Sequence, residues 1–374
     1  MCLELERYKN KQSPKNKMET IAAIQWAKEI EIYQKAALVS HILKPIFTSC
    51  FGITDEKILI IGDQGYAKKR IAPVMALAYY LAARELRLNA KLLLQEPKER
   101  GQEADQEVKD SLKSLQEKNV VFVNVSNKLG GLEEIGKSFR KFCTKKKHRF
   151  ISAMSLGGLP TESVSEVIDA IDIDYKPLQS NLKKLKEVLD KGKEVHVTSK
   201  AGTNLYYGIE GMKALMADGD YKQEGTGGNF PAGETYIPCK GSSNVHGKVV
   251  IDGSSRNRKG TLIIEKPITL TIEEGSITKI EGGKEAKALK ETLEWAAKKA
   301  KHPSTVYRIG ELGFGMNHKA RIIGSTLVDE KTAGTAHIAI GSNYWMGGSI
   351  YAIIHLDQIF KDIKVEVDGK PVQI

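Results

Sequence analysis

Apolar residues recur along this chain in two rhythms. Over residues 18–46 they fall at helical spacing with Pro45 near the end, which predicts one helix. Short apolar runs at 58–61, 90–94, 120–125 and 149–153 then alternate with helical segments at 68–86, 102–116 and 132–142. Strands alternating with helices predict βαβ units and a parallel sheet with both faces covered, joined by right-handed crossovers. Beyond about residue 181 the rhythm changes. A charged helix at 181–189 leads into short strands at 194–200, 204–209, 247–251, 260–265, 268–273 and 276–281. The turns between them carry the Gly, Asn and Asp that tight reversals need. A helix at 284–301 and strands at 306–312 and 335–340 complete the pattern. The expected architecture is an α/β N-terminal domain with a parallel sheet, residues 1–180 including a polar tail over 1–17, followed by an α+β C-terminal domain, residues 181–374.

Length and composition fit this division. A chain of 374 residues suits two domains at about 100–200 residues each. With 41% apolar and 28% charged residues, it has a soluble globular balance. The longest apolar run, 74–83, lies between Arg70 and Arg84 and is far short of the roughly 20 residues a membrane span needs. Residues 1–17 lack an apolar h-region, so no secretory signal is expected there. Cys2, Cys50, Cys143 and Cys239 are scattered without a CxxC pair, which argues against a local thiolate zinc site or a disulfide framework. The expected location is the cytoplasm.

The net charge of +11 raises the question of nucleic acid. The lysines, however, alternate with glutamates over 183–194 and 284–302, as on solvated helix faces. The basic run at 144–149 has no interleaved aromatics, the mark of a single-strand surface. Neither nucleic acid nor membrane is expected as a partner.

Candidate chemistry collects in the C-terminal half. Upstream, Gly62-Asp63-Gln64-Gly65 follows a strand and precedes a helix but matches no phosphate-binding signature, so a tight turn is expected. Downstream, Glu234 and Glu311 stand beside glycines in GGNFPAGE (227–234) and IGELGFG (309–315). His337 lies in a glycine-bounded apolar strand, GTAHIAIG (334–341). His355 and Asp357 are two apart, so on a strand both side chains point the same way. The plainer alternative is a satisfied core histidine within an apolar segment. Together these five side chains offer two nitrogens and three carboxylates, a set suited to Zn²⁺, Co²⁺, Mn²⁺ or Fe²⁺ and richer than one four-coordinate ion requires.

The stretch ELGFGMNHKARIIGSTLVDEKTAGTAHIAIGSNY (311–344), with FPAGETY (230–236) and HLD (355–357), resembles the thermophilic metallo-aminopeptidases of the aminopeptidase T/aminopeptidase S type. The resemblance makes the C-terminal domain the metal-binding, catalytic one. It implies metal ligands at Glu234, Glu311, His337, His355 and Asp357, holding two divalent ions (Zn, Co or Mn) in a homodimer. It places the catalytic tyrosine at Tyr344 and lets Glu311 double as general base. Metal-activated water would then remove N-terminal residues from peptides, with Tyr344 donating to the developing oxyanion. The chain departs from that pattern at Ile350 and Ala352, apolar where polar residues commonly precede the HxD pair, and at Gly233 before Glu234. The C-terminal half is also similar to the 2,5-dihydroxypyridine 5,6-dioxygenases, whose single Fe(II) would fall to His337, His355 and Asp357. A relative that keeps the fold without peptide turnover is a third outcome. Retention of Glu234, Glu311 and Tyr344 favours the first, so a metal-dependent aminopeptidase-like hydrolase acting on a peptide or small molecule is the expected function.

Overall fold

The structure, a computed structural model, describes residues 20–136, 138–240 and 244–374. The polar tail expected over 1–17, Cys2 within it, and the first two positions of the helix expected over 18–46 lie outside the described residues. Two compact units make up the chain. One takes the residues up to Val164 with Tyr221–Gly228, the other Ser165–Asp220 with Asn229–Ile374.

The first unit is built on a parallel sheet. Ile58–Asp63 is flanked by Ala90–Gln95 and Val120–Asn124, with Arg149–Ala153 and the short Gly227–Gly228 beyond. Ile58–Asp63, Val120–Asn124 and Arg149–Ala153 are buried along their whole length. That is why they read as unbroken apolar runs and not as alternations. Helix Ile71–Glu85 crosses the sheet closely enough that a Cβ on Gly62 would lie 2.7 Å from that of Ala76. Gly62 and Asp63 end the first strand and the chain bends just beyond them: Asp63 Oδ1 accepts the amide of Gly65 at 3.0 Å, and Gly65 has φ +69°. The single helix expected over 18–46 is instead Thr20–Glu29 and Tyr33–Ser40, followed by short 3-10 and π turns. The break falls at Glu31, whose φ of 62° swings Ile32 into the core.

The second unit contains two antiparallel seven-stranded sheets. The first runs in the order Ser276–Glu281, Ile268–Glu273, Val245–Ile251, Asn204–Gly208, Glu194–Ser199, Ile363–Val367, Lys370–Val372. The second runs Gly260–Ile263, Ser254–Asn257, His355–Lys361, Thr335–Gly341, Ile309–Gly315, Glu234–Pro238, Leu215–Ala217. Val197, Leu205 and Leu270 of the first sheet share one core with Leu312, Phe314, Ile338 and Phe360 of the second, and helix Lys284–Lys299 adds Leu289 and Leu293. The strand expected at 306–312 begins later, at Ile309, because Pro303–Tyr307 winds as a 3-10 turn. An α/β part with a parallel sheet is thus followed by a part rich in antiparallel sheet, as the two rhythms require. Among the described residues no helix is long and apolar enough to cross a membrane.

Candidate metal centre

Side chains alternate across a strand, so the strands that send Leu312, Phe314, Ile338 and Phe360 into the core send their other residues to the opposite face. Cross-strand register sets what meets there. His337 lies opposite Gly313, Ala339 opposite both Glu311 and Asp357, and Gly341 opposite His355. Glu234, at the start of its strand, lies opposite Gly315. All five side chains expected as metal ligands therefore stand on one face of one sheet, separated by glycine and alanine.

Those small residues make the room. A Cβ on Gly313 would come within 2.3 Å of Cε1 and Nε2 of His337. One on Gly315 would meet the Thr332 carbonyl at 2.2 Å. Gly233, with φ +130°, turns the chain into the Glu234 strand in a position where a Cβ would press on Asn317.

The ligating atoms converge. His355 Nε2 is 3.2 Å from Asp357 Oδ1 and 3.3 Å from Glu311 Oε2. His337 Nε2 is 3.4 Å from Glu311 Oε1 and 3.7 Å from Glu234 Oε2. Ligand atoms of Glu311, His355 and Asp357 all lie within 4.8 Å of one another, close enough to share one ion. His355 Nδ1 donates to the Ser342 carbonyl at 2.9 Å, which leaves Nε2 as the ligating nitrogen. Asn343 supports that carbonyl: its amide donates to the Gly310 carbonyl and accepts from the Ile350 amide, both at 2.8 Å. Ile350, apolar where the resembled pattern is polar, is buried in the core with its backbone supporting this turn.

Charge is concentrated here. Burial opposes ionisation of Glu311, but the imidazoles of His337 and His355 outweigh it and hold the carboxyl below its usual range. Asp357 is lowered to about 2 against burial, chiefly by His355. The imidazoles move oppositely: Glu311 lifts His337 to about 9 against burial, and Asp357 with Glu311 lifts His355 well above its ordinary value. Imidazoles and carboxylates thus shift in opposite directions because each favours the charged form of the other, and a divalent cation held by the same atoms would compete with protons for them. Among the described residues Glu234 Oε2 is buried without a hydrogen-bond partner, as a carboxylate oxygen suited to a cation would be, and His337 Nδ1, the ring nitrogen other than the one facing Glu311 and Glu234, is likewise unpartnered.

Two further residues belong to the centre. Lys331, fully buried, donates to Glu234 Oε1 at 2.5 Å and to Glu330 Oε1. Lys331 and Glu330 both lie within the stretch 311–344, but nothing in their local sequence pairs them with Glu234, which reaches them only through sheet order. Tyr344 stands apart. It is 65% exposed in the 3-10 turn Tyr344–Met346, its ring edge-on to Tyr351, and its hydroxyl makes no hydrogen bond to the cluster among the described residues. Its neighbour Trp345 packs against His355 with ring centroids 4.7 Å apart.

The strands that carry the cluster lie inside a match to the family described as NicX: 2,5-dihydroxypyridine 5,6-dioxygenase, which covers residues 173–373, more than half of the chain. The chain belongs to this family. A curated relative named 2,5-dihydroxypyridine 5,6-dioxygenase, from Pseudomonas putida KT2440, is 25% identical over 194 residues, covering 50% of this chain and 54% of the relative. The chain thus spans about half the length of the curated relative it matches. The solved structure of the dihydroxypyridine dioxygenase from Pseudomonas putida KT2440 superposes with a TM-score of 0.68 at 18% identity, over 91% of this chain and 96% of that one. Wild-type AmpT from Thermus thermophilus superposes with a TM-score of 0.60 at 16% identity, over 91% and 97%. Both likenesses are of fold.

Membership of the NicX family corrects the expected function. The peptide-hydrolase reading, with its aminopeptidase and protease chemistry, gives way to a dioxygenase family; the likeness to AmpT extends to the fold alone. The reason is physical: carboxylates and imidazoles on a sheet face suit either chemistry, so their retention does not choose between them. What stands is an enzyme family whose chemistry implies a metal cofactor, and a cluster here able to hold one.

Proposed function

We propose that this chain is a non-haem iron(II) dioxygenase that opens a dihydroxylated aromatic ring of the 2,5-dihydroxypyridine kind. The observation that carries this reading is that His337, His355 and Asp357 stand on one sheet face inside the family match, His355 and Asp357 within reach of one ion together with Glu311 and His337 Nε2 3.4 Å from Glu311, with His355 Nε2 freed for ligation by the Ser342 carbonyl. Two imidazoles and one carboxylate with open positions are the set that non-haem iron oxygenases use. Iron(II) bound there supplies the one-electron chemistry by which dioxygen reacts with an aromatic ring.

The chain's own residues do the rest. His337 reaches the cluster across Gly313, and Asp357 closes on His355 from the same strand. Glu311, between the two imidazoles, is placed to take the proton of a ring hydroxyl at a carboxylate oxygen. Trp345, 58% exposed beside His355, offers an aromatic face next to the centre for a flat ring.

Anaerobic purification, iron loading and oxygen-electrode measurements test this. The expected result is oxygen uptake with 2,5-dihydroxypyridine, ring-opened product by mass spectrometry, and loss of both iron and uptake in His355→Ala and Asp357→Ala. Full iron content in both variants, or no uptake across a panel of dihydroxylated rings, would remove the proposal.

A further inference from the structure

The acidic face has two lobes. Glu311, His355 and Asp357 form one. Glu234 and Glu330 form the other, closed around the Nζ of Lys331. His337 Nε2 lies between them, 3.4 Å from Glu311 and 3.7 Å from Glu234. Two neighbouring groups of carboxylates on one face give room for two cations. In the second lobe a cation is already present, supplied by the chain.

We propose that the Lys331 ammonium occupies the place of a second metal ion, so that the centre takes one divalent ion per chain and Glu234 serves the lysine and not a metal. The inference rests on reading the first lobe as a metal centre.

Three observations support it. The ammonium is wholly buried, donates to a carboxylate on each side, and has no exposure through which it could act on solvent. The Arg256 guanidinium, which interacts electrostatically with Asp357, adds a further positive charge beside the first lobe. A second divalent ion beside the buried Lys331 ammonium would place like charges close together away from solvent, where their repulsion is little screened. Removing the lysine reverses this, because it leaves two buried carboxylates facing each other, with the orphaned Glu234 Oε2 and the His337 imidazole at hand.

The test compares wild type with Lys331→Met, which keeps an apolar stem of similar reach and loses only the charged end. Full-length protein is stripped with chelator, dialysed against Mn²⁺ or Zn²⁺, and measured by elemental analysis and thermal melting. Wild type should hold one ion per chain and Lys331→Met two, with melting of the variant raised more by metal than that of wild type. Should Lys331→Met fold only with metal present, that dependence supports the proposal. Two ions in wild type, a folded Lys331→Met with one, or a variant that neither metal rescues would each overturn it. A wild type that binds no ion overturns the metal-centre reading together with it, whereas two ions in wild type overturn the Lys331 assignment alone.

Discussion

The imidazole of His337 lies over its cross-strand partner Gly313, in the space a side chain at 313 would fill. A Cβ there would stand 2.3 Å from Nε2, and His337, 1% exposed, has no room to retreat. Gly313→Ala should therefore displace the ring while leaving the strand paired, since extended backbone accepts alanine readily. Metal affinity is expected to fall by about 10–100-fold, the cost typical of disturbing a ligand's orientation. Elemental analysis beside far-ultraviolet circular dichroism separates the outcomes: full metal content with unchanged spectra would show that His337 does not need this seat.

How much of this was legible follows from where each residue finds its partners. His355 and Asp357 were readable because both sit on one strand, and period-two alternation alone brings them together. Glu311, Gly313 and Gly315 share a face for the same reason. Lys331 was not readable as part of the centre, because its charge is stabilised by Glu234, which is 97 positions away in the chain and meets it only through sheet order. The Ser342 carbonyl that orients His355 carries no side-chain signal at all. The helix break at Glu31 was hidden too, since periodicity on either side of it continues nearly in phase. Function was misread for a different reason, because hydrolase and oxygenase draw on the same ligand types.

Asp329 gives a pH-dependent stability. Its carboxylate is fully buried, accepting from the Ser254 hydroxyl at 2.7 Å and the Ile323 amide at 2.8 Å. Burial outweighs those donors and raises its pKa from 3.8 to about 6. Below the lower value both folded and unfolded chains carry the proton. Between the two, the folded chain keeps it while the unfolded chain releases it, so stability falls as pH rises and levels off above the folded value. The loss amounts to roughly 3 kcal/mol at most. Asp329→Asn, able to accept from Ile323 and donate to Ser254, should lack this component. Urea unfolding of both proteins at several pH values from 4 to 7 tests the difference, and parallel pH profiles would contradict it.

Metal removal should be visible as lost stability. A ligand that binds only the folded chain stabilises it by about 2.7 kcal/mol when present at 100 times its dissociation constant. Chelation should therefore lower the melting temperature of wild type. Asp357→Asn removes a ligand carboxylate whose Oδ1 lies 3.2 Å from His355 Nε2, and so should melt at the same temperature with or without chelator. Equal chelator sensitivity in the two proteins would place the stabilising ion elsewhere.

Tyr344 and Trp345 are adjacent in one turn and are expected to differ in effect. The Tyr344 ring is 65% exposed and touches Tyr351, while its hydroxyl has no partner in the cluster among the described residues. Tyr344→Phe removes only that hydroxyl, so metal content and turnover should stay within about twofold of wild type, as for most exposed substitutions. Trp345 instead sets its ring 4.7 Å from that of His355, covering one side of a ligand whose other nitrogen is tied to Ser342. Trp345→Ala exposes that side and removes the aromatic face nearest the centre. Its expected signature is a raised KM for the aromatic substrate with metal content retained, because the Ser342 bond still orients His355. Steady-state oxygen uptake and metal content measured on the same preparations distinguish the two positions. Loss of turnover in Tyr344→Phe at full metal occupancy would return the hydroxyl to the reaction, and an unchanged KM in Trp345→Ala would take the indole out of substrate binding.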